Sequence, residues 1–146
     1  MASIYSLGVR TPAATAGAAY ATIHTAASDR AYVREVGIFL SAATASSVAL
    51  VRSSNTPVAS TSALGQAHDT AAPSATVNVD SAWSTAPTVG ANYLRRTTLP
   101  ATIGAGLIWT FPPDAPLILN ASQWLVLWNF GIAAGSALDI YCVWDE

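Results

Sequence analysis

The segment LDIYCVW, residues 138–144, decides the fold class. Leu138, Ile140, Cys142 and Trp144 alternate with Asp139, Tyr141 and Val143, which in an extended chain puts the first set on one face and the second on the other. Working outward, GLIWTF (106–111) alternates Leu107, Trp109 and Phe111 with Ile108 and Thr110, and NYLRRTTL (92–99) places Tyr93, Arg95, Thr97 and Leu99 opposite Leu94, Arg96 and Thr98. Six further runs, at 4–10, 20–25, 32–40, 48–52, 76–79 and 124–130, carry the β-branched and aromatic residues that suit a pleated surface.

Clusters of Gly, Pro, Ser, Thr, Asn and Asp separate these runs, at 11–17, 26–30, 53–57, 71–74, 84–90, 112–116 and 131–136. The alanines come mixed with Thr, Ser, Gly and Pro, and no stretch sustains an apolar stripe at helical spacing. Many short strands without intervening helices cannot build a parallel sheet with helical crossovers. The expectation is therefore one all-β domain spanning 1–146, an antiparallel two-sheet β-sandwich of about 8–10 strands and jelly-roll-like. Residues 55–74 have few large apolar side chains and no clear alternation, and read as a long loop.

Composition narrows function. Hydrophobic residues make up 52% of the chain, enough for a core, whereas only 10% are charged and none is lysine. That is far below the roughly 25% charge of ordinary domains. A surface covered by Ala, Ser and Thr opposes association weakly, so a homo-oligomer or assembly component is expected. A net charge of −2 and scattered arginines do not supply the basic footprint a nucleic acid requires. Arg95 and Arg96, the one basic doublet, point to opposite faces of a strand. No leader pattern opens the chain and no apolar tract reaches the roughly 20 residues of a membrane span, so no membrane partner is expected and synthesis is assigned to a cytoplasm.

Catalytic signatures are absent. The lone cysteine, Cys142, lies in an apolar run and reads as a buried thiol. Two histidines and one cysteine do not make a zinc set, the acidic residues are scattered singly apart from the pair 145–146, and Gly104 and Gly106 lack the context of a phosphate cradle, so neither metal nor cofactor is expected. His24 has no acid in its own strand, and His68 is followed directly by Asp69. Neither sits in a recognisable nucleophile motif, and the chain reads as non-enzymatic. Of five tryptophans, 109, 124, 128 and 144 lie in apolar strand patterns and are expected in the core or a subunit interface. Trp83, in SAWSTAPT, is flanked by turn residues and is the one expected to meet a partner, with Tyr93 and His68 as further contacts for a partner or glycan.

REVGIFLSAATASSVALVRSSNTP, GQAHDTAAPSATVNVDSAWSTAPTVGANYLRR, LPATIGAGLIWTFP and LVLWNFGIAAGSALDIYCVWDE together cover most of the chain. They resemble small proteins encoded among the structural genes of tailed bacteriophages. The resemblance implies a virion protein: a capsid decoration or head auxiliary protein, or a tail accessory protein. It implies partnership with the major capsid protein or another virion protein, and self-association, with a trimer favoured. The alternative reading is a carbohydrate- or receptor-binding module on the tail or head surface, with a host glycan as ligand.

Overall fold

The computed structural model describes residues 2–146, and the regular structure among them is entirely strand. In chain order the strands are β1 (Ile4–Arg10), β2 (Ala19–His24), β3 (Ala31–Leu40), β4 (Ser46–Arg52), β5 (Val58–Leu64), β6 (Gln66–Ala67), β7 (Asn78–Thr85), β8 (Arg95–Leu99), β9 (Gly106–Thr110), β10 (Leu117–Leu119), β11 (Trp124–Trp128) and β12 (Leu138–Asp145). Every pairing is antiparallel. One sheet runs β10-β3-β12-β1-β6, with β9 also on β3, and the other runs β5-β7-β2-β11-β4-β8.

Eight of these strands form nested pairs: β1 with β12, β2 with β11, β3 with β9, and β4 with β8. The chain behaves as one long hairpin wrapped around itself, and its two four-stranded layers, β1-β12-β3-β9 and β2-β11-β4-β8, are those of a jelly roll. The segment that decided the fold class stands at its centre. Leu138, Ile140, Cys142 and Trp144 are all buried, while Asp139, Tyr141 and Val143 face outward and are only partly covered. Facing rows from β3 (Val36, Ile38, Leu40), β4 (Val48, Leu50) and β11 (Leu125, Leu127) complete the core. Each fully buried aliphatic side chain of this kind contributes roughly 1.5–3 kcal/mol.

Three strands were not visible in the sequence. β10 has three residues, and β5 and β6 lie inside 55–74, which is a loop only over 55–57, 65 and 68–74. β5 is an edge strand of small residues, VASTSAL, largely exposed on both faces, so it has no apolar alternation to reveal it. It is held by main-chain pairing to β7, with the register slipping at three places. The excursion between β4 and β8 places β7 beside β2 and β6 beside β1, and so covers part of the edge that both layers would otherwise leave open, with β5 as the new outer strand of one sheet.

The Glu146 side chain clamps this excursion to the frame. Its carboxylate accepts hydrogen bonds from the Thr76 amide (2.9 and 3.0 Å), the Val77 amide (3.0 Å), the Thr76 hydroxyl (2.9 Å) and the Trp144 indole N–H (2.8 Å). Tyr5 adds a phenol hydrogen bond to the Pro73 carbonyl at 3.0 Å. Gly65 lies against Trp144 so closely that a Cβ there would stand 2.3 Å from the indole ring.

Four connections meet at one end of the sandwich: 11–18, 41–45, 100–105 and 129–137. The Gly135 amide donates to the Ala14 carbonyl and the Gly104 amide to the Leu40 carbonyl, while the Ser41 amide donates to the Ala137 carbonyl and the Ser136 amide to the Ser46 hydroxyl. The side-chain amide of the buried Asn129 donates to the Ala14, Thr15 and Ala133 carbonyls. None of the residues in these four segments is charged. Their tips point large apolar groups at solvent, Ile103 at 69% exposure and Ile132 at 102%.

Candidate functional site

Polar chemistry collects on the outer face of the β5-to-β8 sheet. Along β2, Ile23 faces the core while Thr22 and His24 face outward. Register then sets their neighbours: Thr22 lies between Val126 of β11 and Asp80 of β7, and His24 between Trp124 and Asn78. Three outward side chains converge on the Asp80 carboxylate. Thr22 donates from its hydroxyl at 2.7 Å, the His24 Nδ1 lies at 2.7 Å, and the Ser62 hydroxyl of β5 holds the second oxygen. Trp83 in turn donates its indole N–H to the Thr22 hydroxyl at 3.1 Å.

Asp80 is fully buried. Burial pushes its carboxyl pKa up, but the hydrogen bonds from His24, Ser62 and Thr22 and the charge of His24 outweigh that and hold it below the ordinary carboxylate value. An ionised Asp80 accepts only, so His24 carries its shared proton on Nδ1. That tautomer suits a general base, yet the serine of the cluster is bonded to Asp80, on the side away from the other imidazole nitrogen. A nucleophile poised on histidine is what acyl transfer needs, and here the network immobilises the imidazole instead. The ring of His24 stacks on Trp124, with centroids 5.6 Å apart and planes at 19°.

Trp124 therefore stands fixed as one wall of a cleft of about 260 Å³ at this end of the sheet, shared with Arg52, Ser54, Asn55, Ser122 and Gln123. Ser122 adopts a left-handed backbone (φ 54°), uncommon for a residue with a side chain. Its turn is tied down by the Thr25 hydroxyl, which donates to the Asn120 carbonyl at 2.6 Å. Asn55 is held by the Thr88 amide at 2.9 Å and itself donates to the Ala86 carbonyl at 3.0 Å.

The contact residues expected from sequence do not converge. Trp83 lies on β7, not in a turn, and is half-buried with its N–H committed to Thr22. Tyr93 precedes β8 at the far edge of the same sheet, four strand spacings or roughly 19 Å away, and packs on Phe130 with centroids 5.7 Å apart. His68 is exposed on the other sheet, 2.9 Å from the Ser6 hydroxyl. Among the tryptophans, Trp109 and Trp144 are in the core. Trp124 and Trp128 are not; Leu125 and Leu127 take the core-facing positions of β11, so Trp124, Val126 and Trp128 lie on its outer face, where both tryptophans are half-buried. Arg95 and Arg96 do point opposite ways, one guanidinium over Phe111 and the other over Phe130. Arg34 pairs with Asp145, not with its neighbour Glu35, which accepts from the Tyr141 hydroxyl. Burial, reinforced by the Glu35 charge, pushes the Cys142 thiol pKa up.

Among the described residues no group of three His, Cys, Asp or Glu side chains is placed to hold a metal ion, and no helix is long and apolar enough to cross a membrane. Comparison of the chain with protein-family models, curated proteins and solved structures returned no match.

Proposed function

We propose that this chain is a non-enzymatic structural protein of a tailed-phage virion, a capsid decoration or head auxiliary protein that oligomerises, as a trimer, and stabilises the shell. The observation that carries this reading is the uncharged end of the sandwich. Four hydrogen-bonded loops there expose Ala, Thr, Gly and Pro around Ile103 and Ile132, and none of their own residues carries a charge to desolvate; Arg96 over Phe130 and the Arg10–Asp139 pair stand at their rim. Small side chains let two backbones approach closely, and the loops are braced by Asn129 and Ser46 so that little order is lost on docking. A capsid protein at this end would bury an apolar patch repeated around a symmetry axis, and each bridged pair of capsomers would separate more slowly.

The test is co-sedimentation of the purified protein with capsids assembled without it, together with its mass by light scattering. A trimer that saturates the capsids, and an Ile103→Asp/Ile132→Asp variant that folds normally but stays in the supernatant, are the expected results. Failure of the parent protein to bind, or equal binding by the variant, would overturn the reading.

A further inference from the structure

We infer that the Trp124 cleft is a binding site for a neutral saccharide, one sugar ring in size. Four observations point to that class of ligand. The wall is an indole, whose face accepts the C–H side of a sugar ring. Its rim is made of neutral hydrogen-bonding groups, the side-chain amides of Asn55 and Gln123 and the hydroxyls of Ser54 and Ser122, with the Arg52 guanidinium as the sole ionised group and no acid. A carboxylate or phosphate ligand would meet one cation already engaged by the Ile118 carbonyl at 3.0 Å and the Gln123 side-chain carbonyl at 3.4 Å. Sugar hydroxyls, in contrast, can use what the internal bonds of Asn55, Ser54 and Gln123 leave over: the second amide hydrogen of Asn55, the Gln123 amide N–H groups and the Ser122 hydroxyl. The volume, about 260 Å³, falls just below the usual 300–1,000 Å³ of drug-sized pockets and suits a single ring.

The fourth observation is preorganisation. Ser62 and Thr22 hold Asp80, Asp80 holds His24, and His24 holds the plane of Trp124, so the stacking surface is set before a ligand arrives. On the opposite side of the cleft, Asn55 is fixed through Thr88 and Ala86, and Ser122 is fixed in its left-handed turn. His24, Asp80, Ser62 and Thr22 are positioning residues here; Trp124, Asn55 and Gln123 touch the sugar. The site is separate from the uncharged end, so its failure leaves the assembly reading intact, and the reverse holds too.

The experiment follows the five indole N–H signals and the Asn and Gln side-chain amides of the labelled full chain by NMR during titration with glucose, galactose, N-acetylglucosamine and rhamnose. At least one of the four is expected to give a saturable shift centred on Trp124, with a dissociation constant on the order of 1 mM, ordinary for so small a ligand. Trp124→Ala should abolish it. The exposed Gln123→Ala, which leaves the fold alone, should weaken it about tenfold through one lost hydrogen bond. Asp80→Asn should weaken it while broadening the Trp124 signal, since the indole loses its brace. No saturable Trp124 shift at about 100 mM of any of the four sugars, a hundredfold above that constant, would overturn the assignment, as would a shift shared equally by all five indoles or unchanged binding in Gln123→Ala.

Discussion

Replacing Glu146 by alanine tests the account of how the 53–94 excursion is held. The substitution removes an acceptor that serves two main-chain amides, a hydroxyl and an indole, at 2.8 to 3.0 Å. A hydrogen bond to a charged acceptor is worth about 1.5–3 kcal/mol net. The four do not add, because they share one carboxylate, and water can replace part of the set at a half-buried site. A loss of about 3 kcal/mol is the working figure, which for a domain of this size lowers the melting temperature by roughly 6–12 °C. Glu146→Gln keeps one carbonyl acceptor and should lose about half as much. Urea unfolding gives the free energy, and amide hydrogen exchange shows where it is lost: β5 and β7 should lose protection first, while the eight-strand frame keeps its own. A Glu146→Ala protein within about 0.5 kcal/mol of the parent, the range of ordinary surface changes, would refute the clamp.

Three further outcomes follow from the same structure. Asp80 titrates lower in the fold than in the unfolded chain, so its stabilising contribution is complete above the unfolded value of about 4 and is lost as pH falls through the folded value; urea midpoints of the parent should drop on acidification more steeply than those of Asp80→Asn, and parallel curves would contradict this. Gly65→Ala should cost roughly 1–3 kcal/mol by pushing on the fully buried Trp144, whereas Gly90→Ala, with open space around it, should cost almost nothing; equal thermal shifts for the two would be the contrary result. The Cys142 thiol should react with a thiol reagent only as fast as the protein unfolds, and labelling at the rate of a free cysteine would show the core is open there.

Nine strands and the two-layer architecture were legible because large apolar residues alternate with polar ones wherever one face meets the core, as in 138–144. The signal failed in two opposite ways. In β5 nothing is large, so a paired strand looks like a loop. In β11 every residue is large and apolar, WLVLW, so the sequence does not say which side is the core, and of the two places it allows Trp124 and Trp128, core or subunit interface, the fold excludes the core. The His24–Asp80 pair spans 56 positions and exists only because β7 is laid beside β2 by the excursion. No local pattern marks it. The left-handed turn at Ser122 was equally silent, since it falls on a serine where a glycine would have announced it.

The slipped pairing of β5 bears on what its sheet edge can pair with. A straight, regular edge strand presents an evenly spaced row of amides and carbonyls, and any second copy can extend the sheet across it without limit. β5 changes register at three points in seven residues, so its outer hydrogen-bonding groups do not line up with an incoming strand. The opposite border of that sheet, β8, carries Arg95 and Arg96 side by side. A chain this poor in charge, with only 10% charged residues, is thereby kept from the edge-to-edge strand pairing that starts fibre growth.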